Sequence, residues 1–88
     1  MKAIKRYFLD KNVTVNQTIY LPDEAEITDV KDTSKGLNLY ALVDITKPAI
    51  SLHTFKILNT GEAFYADNCK YIGSFEGNYG VRHVIEIF

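Results

Sequence analysis

Two histidines and one cysteine are the residues of this chain best suited to metal binding or nucleophilic chemistry: His53, His83 and Cys69. A zinc site needs three or four ligands from His, Cys, Asp or Glu, and the spacings CxxC, HxH and HExxH do not occur. Nothing around Cys69 is typical of a thiol activated by a neighbouring base. We therefore expect no metal, no cofactor and no enzymatic activity. For His83, a hydrogen-bonded place in a strand is favoured over a binding contact.

Charge and composition argue against several other classes of function. Ten basic and eleven acidic residues give a formal net charge of −1, which offers no general attraction to nucleic acid or to an anionic membrane. No run approaches the roughly 18 apolar residues that a membrane span needs. The single cysteine excludes an internal disulfide and is typical of a reducing compartment. We expect one soluble, intracellular domain over residues 1–88.

Apolar and polar residues alternate along most of the chain, as in strands with one buried face. The alternation is clearest in residues 13–21 and 37–45, and a change of phase between Ile27 and Val30 indicates a bulge. Turn sequences separate the segments, among them "DTSKG" (residues 32–36) and "GNYG" (residues 77–80). The apolar C-terminal segment "VRHVIEIF" is interpreted as a paired strand inside a sheet.

The patterns together predict a mostly all-β fold. We expect one small antiparallel domain of about seven short strands, curled into a barrel or packed as a sandwich. At most one short helix is expected, near residues 65–72, where apolar residues recur at helical spacing.

Six tyrosines and five phenylalanines are more than a domain of 88 residues is expected to bury. Exposed aromatic residues are typical of protein interfaces, so a protein partner and a homo-oligomer are both expected. Residues 23–32 also contain five acids, which favour a solvated loop or edge strand over a patch that imitates nucleic-acid phosphates. The candidate binding residues are Tyr40, Tyr71, Tyr79, Arg82, His83, Asp23 and Glu24.

The order of several short motifs resembles a family of small bacteriophage proteins of unknown function. The segments are "KAIKRYFL", "QTIYLPDEAEI", "LNLYALVDI", "NTG", "KYIGSF" and "VRHVIEIF", and they span nearly the whole chain. His83 and Glu86 match the terminal motif of that family. Tyr40 stands where a tryptophan is common, Asn59 replaces a turn glycine, and Glu62 stands where a histidine often follows the turn.

The resemblance implies a phage or prophage origin and a place in the cytoplasm of a bacterial host. Under it we expect a non-enzymatic accessory protein that binds and inhibits or redirects a host protein, such as a component of a bacterial defence. Two alternatives stay open. One is a sponge for a nucleotide signal, with Arg82, His83 and Tyr79 as the nearest candidates, and the other is a minor structural or assembly protein of the phage. A membrane or nucleic-acid partner is not expected.

Overall fold

The computed structural model describes residues 1–78 and 80–88, which form seven antiparallel β-strands and no helix. The predicted all-β fold of about seven strands is therefore confirmed. Nothing in the described part of the chain is a helix long and apolar enough to cross a membrane. The strands are β1 (Lys2–Leu9), β2 (Gln17–Pro22), β3 (Glu26–Thr33), β4 (Gly36–Asp44), β5 (Ala49–Asn59), β6 (Cys69–Gly77) and β7 (Gly80–Ile87).

The strands form two sheets that share one core. Sheet A has the order β1-β4-β3, and sheet B has the order β2-β5-β7-β6. Neither sheet closes on itself, so of the two architectures left open by the sequence the structure has the sandwich. The core contains Leu9, Val30, Leu37 and Leu39 from sheet A, and Phe55, Ile57, Phe75 and Val84 from sheet B.

The central strand of sheet A shows how alternation sets the two faces. Alternate residues from Leu37 to Val43 point inward and are buried, whereas Tyr40 and Leu42 point outward. Ile45 was expected to share the buried face, but β4 ends at Asp44 and Ile45 is exposed. The predicted strand over residues 13–21 is likewise shorter, since β2 begins only at Gln17.

The two sheets approach each other closely where β3 meets β6. The predicted bulge in β3 is confirmed by a shift of register between Ile27 and Asp29, and β6 has a similar shift between Tyr71 and Gly73. A Cβ atom on Gly73 would lie 2.7 Å from Cγ1 of Val30, which no real Cβ tolerates. Glycine is therefore required here because its missing side chain lets the sheets meet.

The other local predictions have mixed outcomes. β7 pairs with both β5 and β6, so the C-terminal segment is a strand inside the sheet, as expected. The β3–β4 turn is shorter than the predicted five residues, because only Ser34 and Lys35 separate the strands and Gly36 supplies the positive φ of 125°. The segment considered for a helix is irregular up to Asn68 and then enters β6.

Candidate functional site

The structure does not bring the candidate binding residues together on one surface. Tyr40 lies on the outer face of sheet A, and Tyr71 and His83 lie on the outer face of sheet B. Arg82 points between the sheets at one end of the sandwich. The acids Asp23 and Glu24 form the β2–β3 turn, and Tyr79 lies outside the described residues. These groups are considered in turn.

His83 is held by hydrogen bonds on both ring nitrogens. The Thr60 hydroxyl donates to the Val81 carbonyl oxygen at 2.7 Å, so its oxygen is left to accept from Nε2–H of His83 at 2.8 Å. Nδ1 then accepts from the Tyr71 hydroxyl at 3.0 Å. An imidazole with its proton on Nε2 satisfies both of these hydrogen bonds, so the proton is assigned to Nε2 from its partners. The geometry agrees with the prediction of a hydrogen-bonded strand residue.

Arg82 lines a cavity of about 430 Å³ at the open end of the sandwich. Its Nε donates to the Asn59 side chain at 3.1 Å, Nη1 donates to the Lys11 carbonyl at 2.7 Å, and the guanidinium lies over the Phe75 ring. The ammonium of Lys11 in turn contacts both carboxylate oxygens of Asp32. These contacts fasten the β1–β2 loop to sheet B. The cavity therefore combines one guanidinium, one ion pair and one aromatic ring.

A buried pair of polar residues links β5 to β7 inside the sandwich. Nδ1 of His53 lies 2.6 Å from Oε2 of Glu86, whose side chain is only 9% exposed. The His53 ring stacks with Phe55 at a centroid distance of 6.5 Å. Sequence analysis did not identify this pair, because the two residues are 33 positions apart and meet only through strand pairing.

The two candidate acids are held by contacts with β5 and with the turn that precedes it. The Ser51 hydroxyl donates to the Asp23 carboxylate, and the Lys47 ammonium lies 3.2 Å from a carboxylate oxygen of Glu24. Glu24 also has a positive φ of 64°. These contacts fit the interpretation of a solvated turn that joins the two sheets.

The outer face of sheet A, which we call the mixed face, combines apolar and charged side chains in register. Its outward residues are Ile4, Arg6 and Phe8 on β1, Asn38, Tyr40 and Leu42 on β4, and Glu26, Asp29 and Lys31 on β3. The rows run Ile4–Leu42–Glu26, Arg6–Tyr40–Asp29 and Phe8–Asn38–Lys31. Charged side chains of both signs therefore lie on the two edge strands, with apolar groups beside and between them. The Arg6 guanidinium also lies 5.2 Å from the centre of the Phe8 ring.

A further acid, Asp44, ends the central strand beside the mixed face. The hydroxyl of Thr46 donates to Oδ1 of Asp44 at 2.6 Å and its backbone N–H donates at 3.0 Å. These two bonds lower the pKa of Asp44 below its ordinary value, because they stabilise the ionised carboxylate. The N-terminal ammonium adds a weaker contact at 3.7 Å.

The outer face of sheet B is different, because the segment 60–68 folds back across it. This segment covers Ile85, which points outward but is only 4% exposed. Beside it lies a groove of about 640 Å³, which is lined by Phe64, Tyr65, Ile85 and Ile87 and also by the charged residues Lys56 and Asp67. We define the apolar face as this groove with the exposed side chains of Tyr20, Ile50, Leu52, Phe64 and Tyr65.

Neither face was predicted as a site from the sequence, although the mixed face had a detectable signal. Residues 2–9 are apolar on both strand faces, with Ile4 and Phe8 opposite Tyr7 and Leu9. A strand that is apolar on both faces, yet lies in the edge of a two-layer sandwich, must expose one of them. Which face is exposed follows only from the sheet order.

Among residues 1–78 and 80–88, no group of three or more His, Cys, Asp or Glu side chains is placed to hold a metal ion.

Comparison with known families places residues 1–87 in the family described as Domain of unknown function (DUF7352). The chain belongs to this family. No curated protein and no solved structure matches the chain.

Proposed function

We propose that this member of the family is a non-enzymatic binding protein that acts by covering a site on a host protein, and that the mixed face is the surface it uses. The observation that supports the proposal is the register of sheet A, which places exposed apolar side chains beside charges of both signs on a single exposed face. An apolar centre with a charged rim is typical of interfaces between proteins that also exist apart.

The apolar side chains of the mixed face offer contact area at low cost in entropy. Ile4 is 63% exposed and Phe8 is 55% exposed, although both belong to a paired strand whose backbone is already fixed. Tyr40 contributes an aromatic ring and a hydroxyl in the middle strand. A partner therefore gains apolar burial without having to order this side of the contact.

The rim of the mixed face limits what the partner looks like. Lys2 and Arg6 on β1 have no ion-pair partner among the described residues, and neither has Glu26 on β3. Asp29 is already close to Lys31, at 3.7 Å. A complementary partner presents acids opposite β1 and at least one base opposite the start of β3, around an apolar centre.

The resemblance to small bacteriophage proteins supports a host protein as the partner, and occupancy as the mechanism. Such a protein has no chemistry to perform. It inhibits or redirects its target, for example a bacterial defence protein, by filling a surface that the target needs for its own substrate or partner. The fixed backbone of sheet A suits this task because a rigid face loses little freedom on binding.

The experiment compares tagged wild-type protein with Arg6→Glu, each recovered gently from the bacterial host during infection and weighed by native mass spectrometry. We expect wild-type protein to carry a host protein, and Arg6→Glu to lose at least about tenfold of that complex, since a rim charge is inverted. Lys35→Glu is the matched control, because it changes the net charge equally at an exposed position of the β3–β4 turn, outside the outward-facing strand residues of sheet A. Equal loss in both variants, or retention in both, contradicts the proposal.

A second function is favoured by one observation, the cavity around Arg82. Its volume lies within the range of small-molecule sites, and the Arg82 guanidinium that lines it could contact a phosphate. Under this alternative the protein sequesters a nucleotide signal. The same mass spectra distinguish the two functions, because a bound nucleotide adds a few hundred daltons that are lost on denaturation, whereas a host protein adds far more.

A further inference from the structure

We propose that the apolar face is the contact surface of a homodimer, in which a second copy of this chain packs against it about a twofold axis. The proposal concerns a different sheet from the proposed function and stands independently of it. Three features of the apolar face carry it: its contiguity, its lack of charge and its area.

The exposed apolar side chains of sheet B form one continuous surface. Tyr20 and Leu52 are directly paired across β2 and β5, and Ile50 is the next residue on the same face of β5. Along the same face, Leu52 is followed by Thr54, which pairs with Ile87 at the floor of the groove. The far wall of the groove is the segment that carries Phe64 and Tyr65. No charged residue interrupts the path from Ile50 to Ile87.

The composition of the apolar face selects the kind of partner. Among the residues that line its groove, the charged ones are Lys56 and Asp67, and they carry opposite signs. Interfaces between identical subunits are more apolar than those of transient complexes, and their centres are depleted of charge. The mixed face has the opposite character. A second copy is therefore the occupant that the apolar face fits.

The amount of exposed surface matches one subunit's share of a standard interface. Tyr20, Ile50, Leu52, Phe64 and Tyr65 are between 47% and 94% exposed. Each partner in a stable complex of standard size buries approximately 800 Å². The five exposed side chains of the apolar face, three of them aromatic, supply an area of this order.

The shape of the apolar face allows it to pack against a copy of itself. A twofold interface requires that each surface contain both a projection and the recess that receives it. Tyr65 is 94% exposed and projects from the segment that borders the groove. In the dimer, Tyr65 of each copy enters the groove of the other and covers Ile87. Projection and recess are adjacent on one face, so the contact closes after two copies.

Sedimentation velocity over a wide range of micromolar concentrations tests the dimer with a matched pair of variants. Ile50 on the apolar face and Ile4 on the mixed face are the same residue type and have nearly equal exposure, 66% and 63%. We expect wild-type protein to sediment as two copies. Ile50→Lys should weaken dimerisation by about thirtyfold or more, as at an interface hot spot, and Ile4→Lys should leave it unchanged.

Each other outcome contradicts the proposal. A wild-type monomer at all these concentrations means that no dimer forms, and dissociation by Ile4→Lys places the contact on sheet A. Assemblies larger than two copies mean that the interface does not close. Circular dichroism checks that each variant is folded. Should Ile50→Lys fail to fold, Tyr65→Ser replaces it, because a side chain so fully exposed contributes little to the fold of one copy, yet its loss should weaken the dimer at least about tenfold.

Discussion

The outer faces of sheets A and B both expose apolar side chains but arrange them differently. On sheet A, Ile4, Phe8 and Tyr40 alternate with charges of both signs. On sheet B, Tyr20, Ile50 and Leu52 adjoin a groove without an intervening charge. Both faces are built from strands with the same alternating pattern, so the difference lies in the residues that each strand places on its solvent side.

The difference in charge between the two faces allows one small sandwich to have two separate contact surfaces. Charges around an apolar centre provide selectivity and reversible binding, because a poorly matched partner leaves a charge uncompensated. An uncharged surface gains mainly from the removal of apolar area from water and accepts a permanent partner. The two faces point away from each other, so a dimer formed through sheet B leaves both copies of the mixed face free.

A destabilising substitution in the interior that the two sheets share should weaken binding through both faces, because both depend on the same fold. His53→Leu leaves the buried Glu86 side chain without its partner at 2.6 Å, and we expect it to lower the free energy of unfolding by about 1–3 kcal/mol. Urea denaturation followed by circular dichroism measures this loss. The double variant His53→Leu/Glu86→Leu should recover most of it, since apolar groups then replace both partners. A single variant as stable as wild type would mean that the pair contributes nothing to the fold.

Sodium chloride should weaken binding through the two faces to different extents, and this effect should be smaller than that of the interior substitution. We expect the complex with the host protein to weaken about tenfold between about 0.05 M and about 0.5 M sodium chloride, because its rim charges are screened. The dimer should change by no more than about twofold over this range, because its contact carries almost no charge. Binding measurements for the complex and sedimentation for the dimer provide the two values. A dimer with the steeper salt dependence would reverse the assignment of the two faces.

The smallest effect is expected at His83, beside the apolar face. Thr60→Val removes the oxygen that accepts from Nε2–H, and Tyr71→Phe removes the hydroxyl that donates to Nδ1. Each should lower the free energy of unfolding by about 1 kcal/mol, or roughly 4–8 °C in melting temperature. The double variant should lose less than the sum, since both bonds act on one imidazole. A loss of host-protein binding without a change in melting temperature would instead make His83 a binding residue.

The sequence predicted the elements of the fold better than it predicted the surfaces. Alternation identified β4 and the buried C-terminal strand, and the change of phase near Thr28 identified a real bulge, because these are local properties of the chain. The sequence could not predict that residues 60–68 fold back and bury Ile85 on the outer side of sheet B. Nor could it predict that Glu86 meets His53, because that contact depends on which strands are neighbours.

The candidate binding residues illustrate the same limit. Arg82 and His83 are adjacent in sequence, yet successive residues of a strand point to opposite faces, so one enters the end cavity and the other lies on the outer face. Tyr40 and Tyr71 were grouped as exposed aromatics but belong to different sheets. Residue type indicated that some aromatics would be exposed. Only the strand order indicates which of them share a surface.

Native mass spectrometry of three forms of the protein tests whether the two faces act independently. Tagged wild-type protein, Ile4→Lys and Ile50→Lys are recovered from the host during infection and weighed by native mass spectrometry. We predict two copies with bound host protein for wild type, two copies without it for Ile4→Lys, and one copy that still carries it for Ile50→Lys. If either variant loses both the second copy and the host protein while remaining folded, the two faces form one interface and do not act independently.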